Sequence, residues 1–260
     1  MGIVNVTPDS FSDGGRWLST TAAVEHALQL IDAGAAIVDI GGESTRPGAV
    51  PVSVDEELHR VVPVVSALKR QNISAIISVD TRHAPVIQAV IDAGADMIND
   101  VQALSALGAI DCVKESKVAV CLMHMQGQPV SMQQVTQYAD VVTEVNAYLC
   151  DRVSAVMRAG IDRQRIMIDP GIGFGKQLQH NLQLLHHLDT LVKLGFPVLV
   201  GASRKTMLGE ITGQAVAARE FAGIAANLYA IKQGAKILRV HDVAACRDAI
   251  LVWQAIEDAI

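Results

Sequence analysis

The chain has 260 residues, of which 50% are apolar, 18% are charged and 3% are aromatic, and its formal net charge at pH 7 is -6. This length suits one large domain in the upper size range of an α/β barrel, so we expect a single domain over residues 1–260. The negative charge and the absence of any basic run argue against a surface for nucleic acid or an anionic membrane.

The four cysteines are widely spaced without a C-x-x-C pair, and the sequence has no signal-peptide pattern and no apolar stretch that could span a membrane. These features predict a cytoplasmic protein with reduced thiols. The apolar run opens at Met1, so either the first strand begins there or a short leading segment is missing.

One unit recurs along the chain: an amphipathic run, a glycine, three to five aliphatic residues and then a polar residue. A glycine at a helix end before an aliphatic strand is typical of the connections that feed a parallel sheet covered on both faces. Strands are predicted at residues 2–6, 37–40, 75–79, 97–99, 118–123, 166–168, 198–200 and 237–240. Helices are predicted near residues 19–33, 53–70, 84–93, 104–116, 138–159, 178–194, 215–233 and 243–259.

Eight strands that alternate with eight helices predict an α/β fold of the (β/α)8 TIM-barrel type. An open Rossmann-like sheet is the alternative, but no dinucleotide glycine fingerprint supports it. The stretch at 166–176, with a proline and three glycines after Asp169, also fails the spacing of a phosphate-binding P-loop. In a barrel the active site lies at the carboxyl ends of the strands, so the polar residues just past each aliphatic run are the candidates.

Asp80, Asn99 and Asp169 are rich in acceptor atoms and follow three different strands. They could bind a metal, or they could accept the ring N–H and exocyclic amine of an aminopyrimidine, with Lys205 serving a ring carbonyl or nitrogen. For Asp100 and Asp242 we favour simple helix capping or pairing with a neighbouring cation.

Arg239 and His241 alternate on the last strand, so their side chains point the same way at a position where barrels often hold phosphate. With Asn5 from the first strand they form a candidate anion pocket. The turn-forming segments 7–15 and 43–49 are predicted to close over a substrate, and Phe11 in the first of them is either a lid contact or packed on the barrel rim.

His124 lies between two methionines and is predicted to be a packing residue, whereas the histidines at 180, 186 and 187 are predicted to be solvated. No nucleophile lies in a strained elbow motif, so covalent catalysis is disfavoured.

Eight ordered segments resemble the dihydropteroate synthase family from end to end of the chain. They include Asp-Pro-Gly-Ile-Gly-Phe-Gly-Lys at 169–176. The full set is residues 2–15, 39–48, 78–81, 98–101, 122–127, 169–176, 201–205 and 239–242. The resemblance implies condensation of 6-hydroxymethyl-7,8-dihydropterin diphosphate with p-aminobenzoate to give dihydropteroate and pyrophosphate, with Mg²⁺ as the cofactor.

The resemblance also implies roles for individual residues, with Lys205, Arg239 and Asp80 as the catalytic set. The pterin diphosphate would be bound by Asn5, Asp80, Asn99, Asp169, Lys205, Arg239 and His241. The p-aminobenzoate would be bound by Phe11, Thr45, Arg46, Pro47, Phe174 and Ser203. Asn5 would contact the metal and Asp13 would assist from the first loop.

The resemblance further implies a homodimer formed through the last helices. Two alternatives stay open: a barrel that transfers a methyl group from methyltetrahydrofolate, and a pterin-binding module without catalysis. Methyl transfer needs no diphosphate site, so Ser203–Lys205 and the pair Arg239 and His241 count against the first. Pterin binding without turnover would identify the second.

Overall fold

The computed structural model describes residues 1–6, 15–43, 51–127, 132 and 136–259. The strands are β1 (Gly2–Asn5), β2 (Ile37–Gly41), β3 (Ile76–Asp80), β4 (Met97–Asp100), β5 (Ala119–Met123), β6 (Ile166–Asp169), β7 (Leu199–Val200) and β8 (Ile237–Leu238). The helices are α1 (Gly15–Asp32), α2 (Val54–Arg70), α3 (Ala84–Asp92), α4 (Ala109–Lys114), α5 (Val141–Arg158), α6 (Leu178–His186), α7 (Leu188–Val192), α8 (Thr206–Thr212), α9 (Glu220–Lys232) and α10 (Val243–Glu257).

The strands form a closed parallel barrel, as the sequence predicted. β1 to β6 pair in chain order, and β7 pairs with β8. Two further backbone hydrogen bonds complete the ring: Ile168 donates to the carbonyl of Pro197 at 3.0 Å, and Ile3 donates to that of Val240 at 3.0 Å. The predicted helix-ending glycines also adopt the left-handed conformation, with φ of 102° at Gly34.

The barrel interior changes from apolar to polar along the strands. Side chains two residues apart on a strand share a face, so Met97 shares one with Asn99 and Met167 shares one with Asp169. The apolar members form a cluster separate from the main core, consisting of Met97, Cys121 and Leu199 with Met1, Ala119, Met167 and Ile237 packed against them. The polar members therefore collect at the carboxyl ends of the strands.

The helix predictions were wrong in three places. The predicted helix at 104–116 is reduced to α4, because Ala103 and Leu104 have φ of 53° and 55° and the backbone there turns before the helix begins. The predicted helix at 178–194 is divided at His187 into α6 and α7, and the short helix α8 was not predicted. Within the described residues, none of the helices has the length and apolar character needed to cross a membrane.

Candidate active site

Arg239 lies at the centre of the polar end of the barrel, directly after β8. Its Nε donates to Oδ2 of Asp39 at 2.6 Å, and its NH2 donates to Oδ2 of Asp80 at 2.8 Å. Both carboxylates are buried, with Asp39 wholly so. Burial of an uncompensated charge costs several kcal/mol, and the pairing and hydrogen bonds of this network avoid most of that cost.

Asp39 is the site residue that sequence reasoning missed. Besides Arg239, it accepts hydrogen bonds from Ser78 Oγ at 2.6 Å and from Asn99 Nδ2 at 3.1 Å. The signal was present, because Asp39 interrupts the aliphatic strand Ile37–Gly41 and an acid within such a strand has to face partners inside the protein. Its position inside the strand, rather than after it, kept it out of a search of strand ends.

Two members of this network, Asp80 and Arg239, both have a raised pKa, but for different reasons. Burial raises the pKa of Asp80, and the charge of Arg239 limits that rise. Burial alone would lower the pKa of Arg239, but Asp39 and Asp80 outweigh it and raise that pKa. The guanidinium is therefore a permanent cation around which the acids are arranged.

Asp169 ends β6 and supports its own glycine loop. Its Oδ1 accepts a hydrogen bond from the backbone N–H of Gly171 at 2.7 Å, and within the described parts of the chain no protein donor contacts its Oδ2. Burial raises the pKa of Asp169 to about 6, against the opposing effects of the Gly171 N–H and Lys205. Above that pH the carboxylate has one oxygen available for a ligand.

Lys205 and Phe174 contact each other across the site. The Lys205 ammonium lies 3.8 Å from the centre of the Phe174 ring. Burial and the neighbouring Arg239 lower the pKa of Lys205 to about 8. A cation over an aromatic face is weakly stabilised, so Lys205 remains free to take a stronger partner from a ligand.

His241, Ser203 and Asn5 lie at the predicted anion pocket. Ser203 Oγ is 3.0 Å from His241 Nδ1 and also accepts the backbone N–H of His241 at 3.4 Å. Ser203 therefore lies with the anion pocket rather than apart from it. Asn5 is half-buried at the end of β1. Among residues whose placement is described, no group of three or more His, Cys, Asp or Glu could hold a metal on its own.

One cavity of about 570 Å³ brings together most of the predicted site residues that the structure describes. Its lining includes Asn5, Asp80, Phe174, Ser203, Lys205, Arg239 and His241. Asn99 is buried beside Asp80, its register partner on the neighbouring strand. Asp169 is close enough to Lys205 for its charge to raise the pKa of that lysine, against the larger effect of burial. The predicted residues Phe11, Asp13, Thr45, Arg46 and Pro47 lie outside the described residues.

Asp100 and Asp242, which were predicted to have a structural role, bind backbone N–H groups. Asp100 accepts backbone N–H groups of the turn that follows it, from Gln102 at 2.7 Å and Leu104 at 2.9 Å. Asp242 caps α10 by accepting the N–H of Ala245 at 3.0 Å. The capping prediction is therefore confirmed for Asp242, whereas Asp100 stabilises a turn and does not cap α4.

The histidines outside the anion pocket divide into two groups. His124 is buried, and burial followed by the charge of Lys176 lowers its pKa to about 3, so it is a neutral packing residue as predicted. His186 and His187 are exposed as predicted, whereas His180 is only half-exposed and accepts a hydrogen bond from the Gln177 backbone.

Comparisons with known proteins point to one family. A family model described as a pterin binding enzyme matches residues 1–241. The dihydropteroate synthase of Escherichia coli strain K12 is 48% identical over 255 residues, covering 98% of this chain and 90% of that protein.

Solved structures agree with the sequence comparison. The Xanthomonas albilineans dihydropteroate synthase with 4-aminobenzoic acid is 52% identical, with a TM-score of 0.94 over 100% of this chain and 93% of that one. The same enzyme in complex with 7,8-dihydropteroate gives 50% identity and a TM-score of 0.91, with the same coverage of both chains.

We predict that Asp39→Asn lowers the free energy of unfolding by about 3 kcal/mol, because it leaves part of the buried Arg239 charge uncompensated. Urea denaturation followed by circular dichroism measures the change. Asp111→Asn is the control, since Asp111 is 71% exposed and pairs only with Lys114. An Asp39→Asn protein as stable as the control would contradict the role of Asp39 as a counter-ion.

Proposed function

Because the chain belongs to the dihydropteroate synthases within the pterin-binding enzymes, we infer that it condenses 6-hydroxymethyl-7,8-dihydropterin diphosphate with p-aminobenzoate, giving 7,8-dihydropteroate and pyrophosphate. The amine nitrogen forms a bond to the pterin methylene carbon, the C–O bond to the diphosphate breaks, and the amine loses a proton. The chain is thus a transferase of folate biosynthesis.

The observation that carries this function is the juxtaposition of buried acids and an anion pocket in one cavity. Asp80, Ser203 and His241 line this cavity, and Asp169 is close enough to Lys205 and Arg239, which also line it, to raise the pKa of both. Cleavage of the C–O bond develops positive charge on the pterin and negative charge on the departing pyrophosphate. Groups fixed in advance at those two positions stabilise the transition state more than the ground state.

Each pterin contact follows from an unused atom. The Asp169 carboxylate accepts the two donors of the aminopyrimidine edge side by side, one at Oδ2 and one at the remaining acceptor position of Oδ1. Asn99 lies beside Asp80, and Lys205 donates to a ring acceptor. Arg239 is committed to Asp39 and Asp80 through two of its nitrogens, so it offers the face of its guanidinium to the pterin and its remaining edge to the diphosphate.

The p-aminobenzoate site takes Phe174 as one wall and Ser203 as a polar neighbour. The remaining proposed contacts, Phe11, Thr45, Arg46 and Pro47, follow β1 and β2 in the sequence and lie outside the described residues. The amine is already a nucleophile at neutral pH, so the enzyme has to orient it rather than deprotonate it strongly.

Mg²⁺ fits the residues at the anion pocket. Mg²⁺ is usually held by one or two protein oxygens together with substrate phosphates and waters, and Asn5 supplies one such oxygen on the cavity wall. When bound, the ion would neutralise charge on the diphosphate. The other proposed contributor, Asp13, lies outside the described residues.

A homodimer through the last helices is the proposed assembly. Large apolar side chains are exposed there, with Phe221 81% exposed on α9 and Ile211 55% exposed on α8. An apolar groove of about 600 Å³ lies between α6, α8 and α9. Exposed apolar patches of this kind mark interfaces, and self-association is commonly a twofold pairing of one patch with its copy.

A reducing, cytoplasmic setting is the proposed location. All four cysteines are free thiols in the described structure. Cys121 and Cys246 are buried, where they behave as small apolar residues rather than as disulfide partners.

The first prediction from the proposed function tests the reaction itself. The folded protein with the pterin diphosphate, p-aminobenzoate and Mg²⁺ is expected to release pyrophosphate, measured by a coupled colorimetric assay. Omission of p-aminobenzoate or chelation of Mg²⁺ with EDTA should each abolish release. Pterin binding without release would favour the non-catalytic module, and methyl transfer from methyltetrahydrofolate would favour the other alternative.

A second prediction concerns Asp169. Asp169→Asn should weaken binding of the pterin diphosphate roughly tenfold to hundredfold in titration calorimetry, because one charge-assisted hydrogen-bond pair is lost. Wild-type affinity should fall as the pH drops through about 6, since protonation removes the acceptor, and the variant should lack that dependence.

Asp162→Asn is the control for this experiment, because Asp162 is exposed and precedes β6 at the opposite end of the barrel. Unchanged pterin affinity in Asp169→Asn would remove Asp169 from the pterin site.

A third prediction concerns assembly. Phe221→Glu should halve the molar mass measured by light scattering at micromolar concentration, because a buried charge at the interface would have no partner. Leu107→Glu, at a position that is 99% exposed on the connection between β4 and α4, should leave the mass unchanged. A monomeric wild-type protein would contradict the dimer.

A further inference from the structure

Lys176 is a buried cation to which neither the sequence motifs nor the proposed reaction assigns a role. Only 3% of its surface is exposed, although it ends the glycine loop that follows β6 and lines the active-site cavity. Its Nζ lies 3.0 Å from the Gly171 carbonyl and 2.9 Å from the Phe174 carbonyl. It also lies 2.9 Å from His124 Nδ1 and 3.3 Å from the His124 carbonyl.

These contacts use the whole donor capacity of the ammonium group. An ammonium has three N–H donors, and four acceptors surround this one. None of the ion pairs between described residues involves Lys176, so carbonyl dipoles and a neutral imidazole compensate its charge. Burial lowers the pKa of Lys176 to about 7, against the opposing charge of Asp169. A cation so occupied has no donor left for a phosphate.

The loop that Lys176 closes lies very close to the end of β5. Gly171 has φ of 68°, and a Cβ at that position would lie 1.9 Å from the carbonyl oxygen of His124. Gly175 has φ of 60°, and its Cβ would lie 2.7 Å from the carbonyl oxygen of Gln126. The glycines let the backbone approach, and the ammonium of Lys176 supplies a donor to the crowded His124 carbonyl and to the loop carbonyls of Gly171 and Phe174.

Phe174 depends on this arrangement. Its carbonyl accepts from Lys176, its N–H donates to Gly171 at 3.1 Å, and its ring lies under the Lys205 ammonium. The neighbouring Gly173 is held separately, because its N–H donates to Asn181 Oδ1 at 2.7 Å. Hydrogen bonds therefore fix the backbone on both sides of Phe174. The bond to the Phe174 carbonyl is the one that Lys176 donates.

We propose that Lys176 is a positioning residue that binds no substrate itself but holds the loop so that the Phe174 ring forms the wall between the pterin and p-aminobenzoate sites. The proposal rests on the function inferred above. It differs from a phosphate-binding role, because the Nζ of Lys176 faces the loop carbonyls. It also differs from a purely stabilising role, because the loop it holds carries a substrate contact.

Lys176→Met tests the proposal, since it keeps most of the aliphatic length and removes the donors. We expect KM for p-aminobenzoate to rise about tenfold, more than KM for the pterin diphosphate, while kcat stays within about threefold of wild type. Lys193→Met is the matched control, because Lys193 is 73% exposed and pairs only with Asp189 on the surface. It should leave all three constants unchanged.

A rescue experiment separates the ammonium from the bulk of the side chain. Lys176→Ala leaves space for the missing three carbons and nitrogen, so added n-propylammonium should lower its KM for p-aminobenzoate towards the wild-type value. The same salt should not rescue Lys176→Met, whose side chain fills that space. If circular dichroism shows either variant to be unfolded, Lys176→Gln replaces it, because glutamine keeps two N–H donors. We expect Lys176→Gln to raise KM for p-aminobenzoate by a smaller factor than Lys176→Met.

The outcomes distinguish this inference from the proposed function. An active wild-type enzyme with a folded Lys176→Met variant of unchanged KM, or with a loss confined to kcat, would overturn the positioning role alone. A folded wild-type protein that releases no pyrophosphate would overturn the proposed function and this inference with it.

Discussion

The ion pair between Asp39 and Arg239 is the interaction on which the active site depends. Asp39 belongs to β2 and Arg239 follows β8, so the pair forms across β1 only when the barrel has closed. Neither charge can be buried alone without a cost of several kcal/mol. Closure of the barrel and assembly of the polar end of its interior are therefore coupled. The same ion pair that accompanies folding also places the polar side chains of the site.

The polar network then limits where ligand contacts can arise. Asp39 is fully used by Ser78, Asn99 and Arg239, and it lies one layer deeper than the strand ends. Asp80 has given one oxygen to Arg239, and Asp169 has given one to its own loop. Asp80 and Asp169 each retain one oxygen that accepts no hydrogen bond from a described residue, so the site offers a small number of acceptors with fixed directions. Fixed acceptors favour a planar ligand with matching donors.

Most of the fold and much of the site could be predicted from local patterns. Glycine followed by an aliphatic run identified the α-to-β connections, and polar residues after those runs identified Asp80, Asn99, Asp169 and Arg239. Those predictions hold because each depends on a short stretch of sequence in which contacts from the rest of the chain do not override the local pattern. Asp39 was missed because its partners come from β3, β4 and the end of β8, and no local pattern records contacts between residues so far apart.

The helix errors have a similar origin. Leu104 belongs to a helical pattern in the sequence, yet the Asp100 carboxylate accepts its N–H and that of Gln102, so the backbone turns there. A side chain that competes for backbone donors overrides local helix propensity. His187 likewise divides a helix whose apolar pattern continues through it.

Three of the cations that line the cavity, Arg239, Lys176 and Lys205, have different partners and therefore different roles. Arg239 is paired with two acids, and Lys176 is surrounded by loop carbonyls and His124. Lys205, whose ammonium lies against the Phe174 ring, makes no ion pair with any described carboxylate. Because an ammonium without a charged partner gains most from the first strong acceptor that reaches it, Lys205 is the one of these three that we propose engages a substrate. Sequence alone gives all three the same formal charge, and only their partners distinguish the proposed ligand-binding cation from the two that hold the site in shape.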